Sequence, residues 1–133
     1  MSIQLKKYAP LVFHIIRKID GIKLEEYKES LNPLKNKDKI TQSFASGGNS
    51  DSPIIFTHDR KYLIKSISRS EKEMLFKILP EYHQRMKESK SFLCRVYGLY
   101  SIMINNKEQA YIIVMRNMND VSSNVSKYKI NFS

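Results

Sequence analysis

YLIKSISRSEKEMLFKILPEYH, residues Tyr62 to His83, carries a strand pattern that runs directly into a helix pattern. In a period-2 strand, Leu63, Lys65 and Ile67 point one way, and Tyr62, Ile64 and Ser66 the other. If Leu63 and Ile67 face a core, the Lys65 ammonium is held where water is scarce. A charge there is costly unless an anion meets it. That anion can be a carboxylate from the following helix, a bound phosphate, or both. Ser70 as N-cap and Glu73 at N3 complete a capping box for a helix beginning at Glu71. Met74, Leu75, Ile78, Leu79, Tyr82 and Met86 give the helix one apolar face. Pro80 falls inside this pattern and predicts a kink or a break.

Upstream, Tyr8 to Asp20 reads as a first helix, with Pro10 suited to N1 and Val12, Phe13, Ile16 and Ile19 on one face. Gly21 ends it. Leu24 to Leu31 reads as a short second helix, and NPLKNKDK, Asn32 to Lys39, as a solvated connector. From Ile40 the pattern changes to strands: QSFA, the loop SGGNSDS, then PIIF, a turn at Asp59-Arg60, and the strand Tyr62 to Ile67. Downstream, Phe92 to Ile104 is strand-like, with Gly98 as a bulge or bend. Asn105-Asn106 is a hairpin turn, and Ala110 to Met115 is the returning strand. MNDVSSNVS is loop-like, and Lys127 to Phe132 suits one more short strand. The class is α+β, an antiparallel sheet with helices packed on it.

A chain of 133 residues with 41% hydrophobic content is expected to form one domain with a core, not a disordered segment. It divides into a helical opening segment (1–39), a sheet with a central helix (40–118) and a linker (119–133). No apolar run approaches the roughly 20 residues that span a bilayer, and the first residues carry no secretory-signal pattern. A single cysteine, Cys94, permits no internal disulfide and fits a reducing compartment. The net charge of +10 is dispersed: basic against acidic residues number 9 to 5 through Lys39, 8 to 6 through Ser89, and 6 to 2 thereafter. Dispersal favours a broad anionic surface over a single binding arm.

In order and spacing these segments resemble the phosphatidylinositol phosphate kinases. YAPLVFHIIRKIDGI is similar to the family's Pro-x-Val-Phe-x-x-(Leu/Ile)-Arg helix followed by Phe-Gly-Ile, and EYKESL to the helix after it. HDRKYLIKSIS resembles the strand D-x-R-(F/Y)-(hydrophobic)-I-K-T. SEKEMLFKILPEYHQ, LCRVYGLYSI and YIIVMRNM resemble the next helix and the two strands that lead to the interlobe hinge. The likeness runs from about Tyr8 to Ser133 and covers the amino-terminal lobe alone.

The resemblance implies that Lys65 is the ATP-phosphate lysine, with Glu71 as its helix partner and Glu73 as the competing candidate. A strand lysine with a helix glutamate beneath a glycine-containing loop is how kinase-type folds hold ATP phosphates. Gly48 corresponds to the first glycine of the phosphate-covering loop, Leu63 to the residue roofing the base, and Asn117 and Met118 to hinge residues along the adenine. The implied cofactor is ATP, with magnesium supplied through a catalytic lobe beyond residue 133. The implied partner is an anionic phosphoinositide membrane surface, met from the cytoplasm by a peripheral protein. Without the general base and metal-binding aspartates of that lobe, this chain alone should not turn over substrate. Apolar surface near the hinge suggests self-association or contact with other chains.

The departures are specific. The family's loop reads approximately G-x-x-G-S, whereas this chain has Gly48-Asn49-Ser50-Asp51-Ser52. Asp51 puts a negative charge and a Cβ where backbone should close over polyanionic phosphates. KYKINFS stands where the family has K-Y-D-L-K-G-S, with Lys129 for its aspartate and Asn131 for its lysine. These changes support a rival reading, a degenerate lobe that serves as a protein-interaction module. A nucleic-acid binder ranks last, because there is no recognised motif and no concentrated basic helix. His14, His58 and His83 have no metal-ligand spacing, and Cys94 reads as inert core. Acids in a helix's first turn also need no function, since they complement the macrodipole.

Overall fold

The computed structural model describes residues 2–44, 54–88 and 95–117. Strand β1 (Ile3–Tyr8) leads through helices α1 (Pro10–Ile19), α2 (Leu24–Ser30) and α3 (Lys37–Phe44) to strands β2 (Ile54–Phe56) and β3 (Tyr62–Ile67). Helix α4 (Arg69–Glu88) and the hairpin β4 (Val96–Ile104) and β5 (Lys107–Arg116) follow. The strands form one sheet in the order β1-β4-β5-β3-β2, with every neighbour antiparallel. This is the α+β architecture expected of the kinase amino-terminal lobe.

Two register breaks, between Val96 and Gly98 and between Ile102 and Met103, shape the β4–β5 hairpin. Tyr97 is the extra residue where β4 shifts between Val96 and Gly98, a bulge that bends the strand and raises its twist. At the tip, Asn105 and Asn106 both adopt left-handed φ values of 50° and 67°, as a two-residue turn matched to strand twist requires.

The two faces of the sheet are covered differently. Register places Tyr62, Ile64, Ile112, Val114, Gly98 and Tyr100 on one face, over which α1 and α2 lie. The Tyr27 ring meets Tyr62 edge-on at 5.5 Å, and its hydroxyl lies 2.6 Å from that of Tyr100. Phe13, Ile16, Ile64, Ile112 and Val114 are all at most 2% exposed there, so this layer holds the main hydrophobic core. Leu63, Lys65, Ile67, Tyr111, Ile113 and Met115 occupy the other face, against which α4 lies. Lys72 of α4 sits over the Tyr111 ring at 4.4 Å, and the Val96 N–H donates to the Tyr82 hydroxyl at 2.7 Å.

Several local expectations are corrected. The opening segment is not wholly helical: Ile3–Tyr8 pairs with β4 along six residues as an edge strand. Tyr8 ends that strand, and Ala9 at φ 46° turns the chain into α1. Gln42, Ser43 and Phe44 of the expected strand QSFA end helix α3 and form no strand, while Ala45 lies outside the described residues; Ile40 and Phe44, four residues apart, are both 2% exposed, the spacing of one helical face. The capping box is two residues earlier than read. The Glu71 N–H donates to Ser68 Oγ at 3.1 Å, and Ser68 N–H donates to Glu71 Oε1 at 2.9 Å. Helix α4 runs through Pro80 unbroken. Its apolar face is divided, with Leu79 5% exposed but Met74 66% and Ile78 47%. Gly48, Asp51, Cys94, Met118 and the expected strand from Lys127 to Phe132 lie outside the described residues.

Candidate functional site

On the α4 side of the sheet, β3 is the strand between β2 and β5, so each of its side chains has two cross-strand neighbours. Lys65 lies between Ile54 and Ile113, and Leu63 between Phe56 and Met115. Lys65 and Leu63 are half-buried, as are Ile113 and Met115, while Ile54 is 54% exposed. The most deeply buried side of β3 is therefore the opposite one, where Tyr62 and Ile64 sit. Lys65 stands instead between apolar neighbours on the face that α4 partly covers. Among the described residues it makes no hydrogen bond and no ion pair.

Glu71 and Glu73 occupy different surroundings. Hydrogen bonds from the Ser68 backbone and hydroxyl hold the Glu71 carboxyl below its ordinary range, and the positive charge of Lys65 adds a smaller pull in the same direction. Glu71 is thus within electrostatic reach of Lys65 while fixed by its own helix cap. Glu73 instead lies 4.0 Å from Arg69 across an exposed i,i+4 pair, an arrangement worth little in water.

Next to Glu71 on α4, Lys72 docks the helix on the sheet through a contact between distant segments. The Lys72 ammonium lies 4.4 Å from the Tyr111 ring centroid, 5.0 Å from Tyr8 and 5.9 Å from Phe76. Three aromatic faces from β5, β1 and α4 itself hold one cation, each within cation–π range. These rings are 35 to 103 positions apart from one another in the chain, so no local pattern announces them.

Asn117 closes β5 and is 3% exposed. Its side-chain amide donates to the Arg60 carbonyl at 2.8 Å, and its backbone N–H to the Lys61 carbonyl at 3.0 Å. The side chain expected to line a bound base is turned into the β2–β3 turn, where Asp59 accepts from Ser30 and Thr57 hydroxyls at 2.5 and 2.7 Å. Of the other singled-out residues, His14 is exposed, and His58 Nε2 lies 2.8 Å from the Glu29 carbonyl. Among the described residues no group of three metal-ligating side chains occurs, and no helix is long and apolar enough to cross a membrane.

Known proteins share much of this sequence. The family model described as phosphatidylinositol-4-phosphate 5-kinase matches residues 35–131. A phosphatidylinositol 4-phosphate 5-kinase of Plasmodium falciparum is 36% identical over 126 residues, covering 84% of this chain and 7% of its own length. A probable phosphatidylinositol phosphate kinase of Dictyostelium discoideum is 32% identical over 119 residues, covering 88% of this chain and 17% of its own. The human phosphatidylinositol 4-phosphate 5-kinase type-1 alpha is 31% identical over 118 residues, covering 86% and 20%. The chain thus spans a fifth or less of the length of these curated relatives. On its fold and on the length of the match, this chain belongs to the phosphatidylinositol-4-phosphate 5-kinase family.

Proposed function

We propose that this chain is the amino-terminal lobe of a phosphoinositide kinase and that it holds the phosphates of ATP through Lys65. The observation that carries the reading is the position of that amine. It is half-buried among Ile54, Leu63 and Ile113, with no partner among the described residues and with Glu71 in electrostatic reach. A cation in such surroundings is stabilised by an anion brought to it. Phosphoryl transfer depends almost wholly on positioning and charge neutralisation, so one placed lysine has a direct role. Leu63 and Met115 supply apolar surface for the base, with Asn117 and Met118 at the hinge and Gly48 in the loop above the phosphates. Magnesium and the general base come from a catalytic lobe. The substrate is a phosphoinositide in an anionic membrane, toward which the dispersed basic charge draws the enzyme as a peripheral protein.

The test is a thermal shift with Mg-ATP on the chain and on its Lys65→Met variant. Nucleotide at 100 times its Kd stabilises a fold by about 2.7 kcal/mol. A shift in the parent that Lys65→Met abolishes supports the reading, and an equal shift in both removes it. Transfer of phosphate to phosphatidylinositol 4-phosphate vesicles by the full-length protein tests the substrate.

A second reading rests on Asp51, Lys129 and Asn131. A carboxylate where the phosphate loop should present backbone, and the altered charges of KYKINFS, favour a lobe that serves as an interaction module. No shift in the parent chain with Mg-ATP selects it.

A further inference from the structure

The face of the sheet opposite Lys65 carries a cavity of about 370 Å³ between β1, β4, α1 and α2. Leu5, Phe13, Leu24 and Leu31 supply apolar wall. Gly98 lets Tyr27 and Tyr100 close in on the strand at its inner end: a Cβ there would come within 2.5 Å of the Tyr27 hydroxyl and 2.6 Å of the Tyr100 ring. An apolar cavity of this size with a few converging polar groups is the usual form of a small-molecule site.

Three polar groups converge in its lining, and one of them, Arg17, is incompletely satisfied. Arg17 is 9% exposed, and its guanidinium has five N–H donors. One, on Nη1, donates to the Tyr97 carbonyl at 2.8 Å, and the plane stacks on Tyr27 at 4.3 Å. No carboxylate of the described residues lies within 4.0 Å of it. A guanidinium so buried without a counter-charge is a costly arrangement unless an anion reaches it. The Tyr27 and Tyr100 hydroxyls are hydrogen-bonded to each other at 2.6 Å, and the Tyr27 hydroxyl donates only at a long 3.4 Å to the Tyr97 carbonyl. Burial raises the pKa of both hydroxyls, so each stays protonated and able to donate. Lys7 and Lys28, both exposed and both in the lining, put positive charge at the mouth.

We infer that this cavity binds a small amphiphilic acid, one apolar chain or ring ending in a carboxylate, with the anion on Arg17 and the Tyr27–Tyr100 pair and the apolar body against Leu5, Leu24 and Leu31. The sheet separates it from Lys65, so the inference stands apart from the nucleotide reading. Charge selects the anion, since Arg17, Lys7 and Lys28 are all cationic. The walls select the apolar body.

Isothermal calorimetry with decanoate, below its aggregation concentration, tests the site, with decanol as the headless control. Decanoate binding with decanol at least about tenfold weaker is expected, the loss of one charge-assisted contact. Leu24→Trp fills the cavity from a position that is 38% exposed and so tolerates a larger side chain. It abolishes decanoate binding while leaving any Mg-ATP shift as it was. Arg17→Met weakens decanoate about tenfold or more and decanol little. If Arg17→Met fails to fold, Leu24→Trp and the decanol control decide. No decanoate binding by the parent, equal binding of decanol, or binding indifferent to Leu24→Trp each overturns the proposal.

Discussion

The side-chain amide of Asn117 donates to the Arg60 carbonyl across 2.8 Å, tying the residue after β5 to a turn 57 positions earlier. Arg60 itself holds a left-handed φ of 63°, which is uncommon for a residue with a side chain. The turn is therefore held from several sides: Asn117 from β5, and Thr57, Ser30 and the Lys61 N–H on Asp59.

Asn117→Ala leaves the Arg60 carbonyl without this donor in a part-buried setting. The expected cost is about 0.5–1.5 kcal/mol, read as a lower midpoint in urea unfolding with an unchanged slope. A change below the error of the fit would mean that the turn is fixed without Asn117.

Gly98→Ala tests the close approach of β4 to α2. The added methyl meets the Tyr27 hydroxyl and the Tyr100 ring together, and both are anchored, Tyr27 by Tyr62 and Arg17 and Tyr100 by Tyr27. Overpacking of this kind costs about 1–3 kcal/mol. Denaturant unfolding measures it. A neutral substitution would show that α2 can move outward at no cost.

How much of this was legible in the sequence depends on how local each signal is. Strand β3, the Asn105-Asn106 turn, the bulge near Gly98 and the apolar faces of α1 and α2 follow from periodicity and turn chemistry. The capping box was misplaced because SRSEKE offers two frames of one pattern, Ser68 with Glu71 and Ser70 with Glu73. Only geometry chooses between them. Strand β1 was missed because an edge strand needs few inward residues: Ile3 and Leu5 alternate, then two lysines follow. Ala9 supplies the left-handed turn without the glycine or asparagine that would announce it. Leu63, Lys65 and Ile67 do share one face, but the deeper core lies across the sheet, under α1 and α2. Lys72 in its aromatic surround and Arg17 without a counter-charge depend on contacts between distant segments, which periodicity does not encode.

Alkaline pH should expose the buried tyrosine layer. Burial raises the pKa of the Tyr27, Tyr62, Tyr97 and Tyr100 hydroxyls, helped in Tyr97 by its hydrogen bond to Asp20 and in Tyr27 by Tyr100. Each folded value lies above the unfolded value of about 10. The stability linked to these groups is therefore complete below pH about 10 and is lost as pH rises through the folded values. The chain has eight tyrosines. Phenolate absorbance should rise in two phases, the second, carrying these four, coinciding with loss of near-ultraviolet circular dichroism. A single phase near the ordinary value would contradict the packing of α2 on the sheet.

Lys65→Met separates function from stability. The amine has no partner among the described residues, its nearest influence being on the charge of Glu71, and its neighbours Ile54 and Ile113 are apolar. Replacing it with a thioether of similar length removes an unpaired charge from a half-buried position, so unfolding free energy should change by no more than about 0.5 kcal/mol or rise slightly. Stabilisation by Mg-ATP should disappear in the same variant. Glu71→Gln gives the complementary result. It keeps an acceptor for Ser68 but removes the negative charge at the start of α4, costing about 0.3–1 kcal/mol, and it weakens nucleotide binding less than Lys65→Met does. A large loss of stability in Lys65→Met would show that the amine is a structural element of this face, and the case for a phosphate-binding lysine would fall with it.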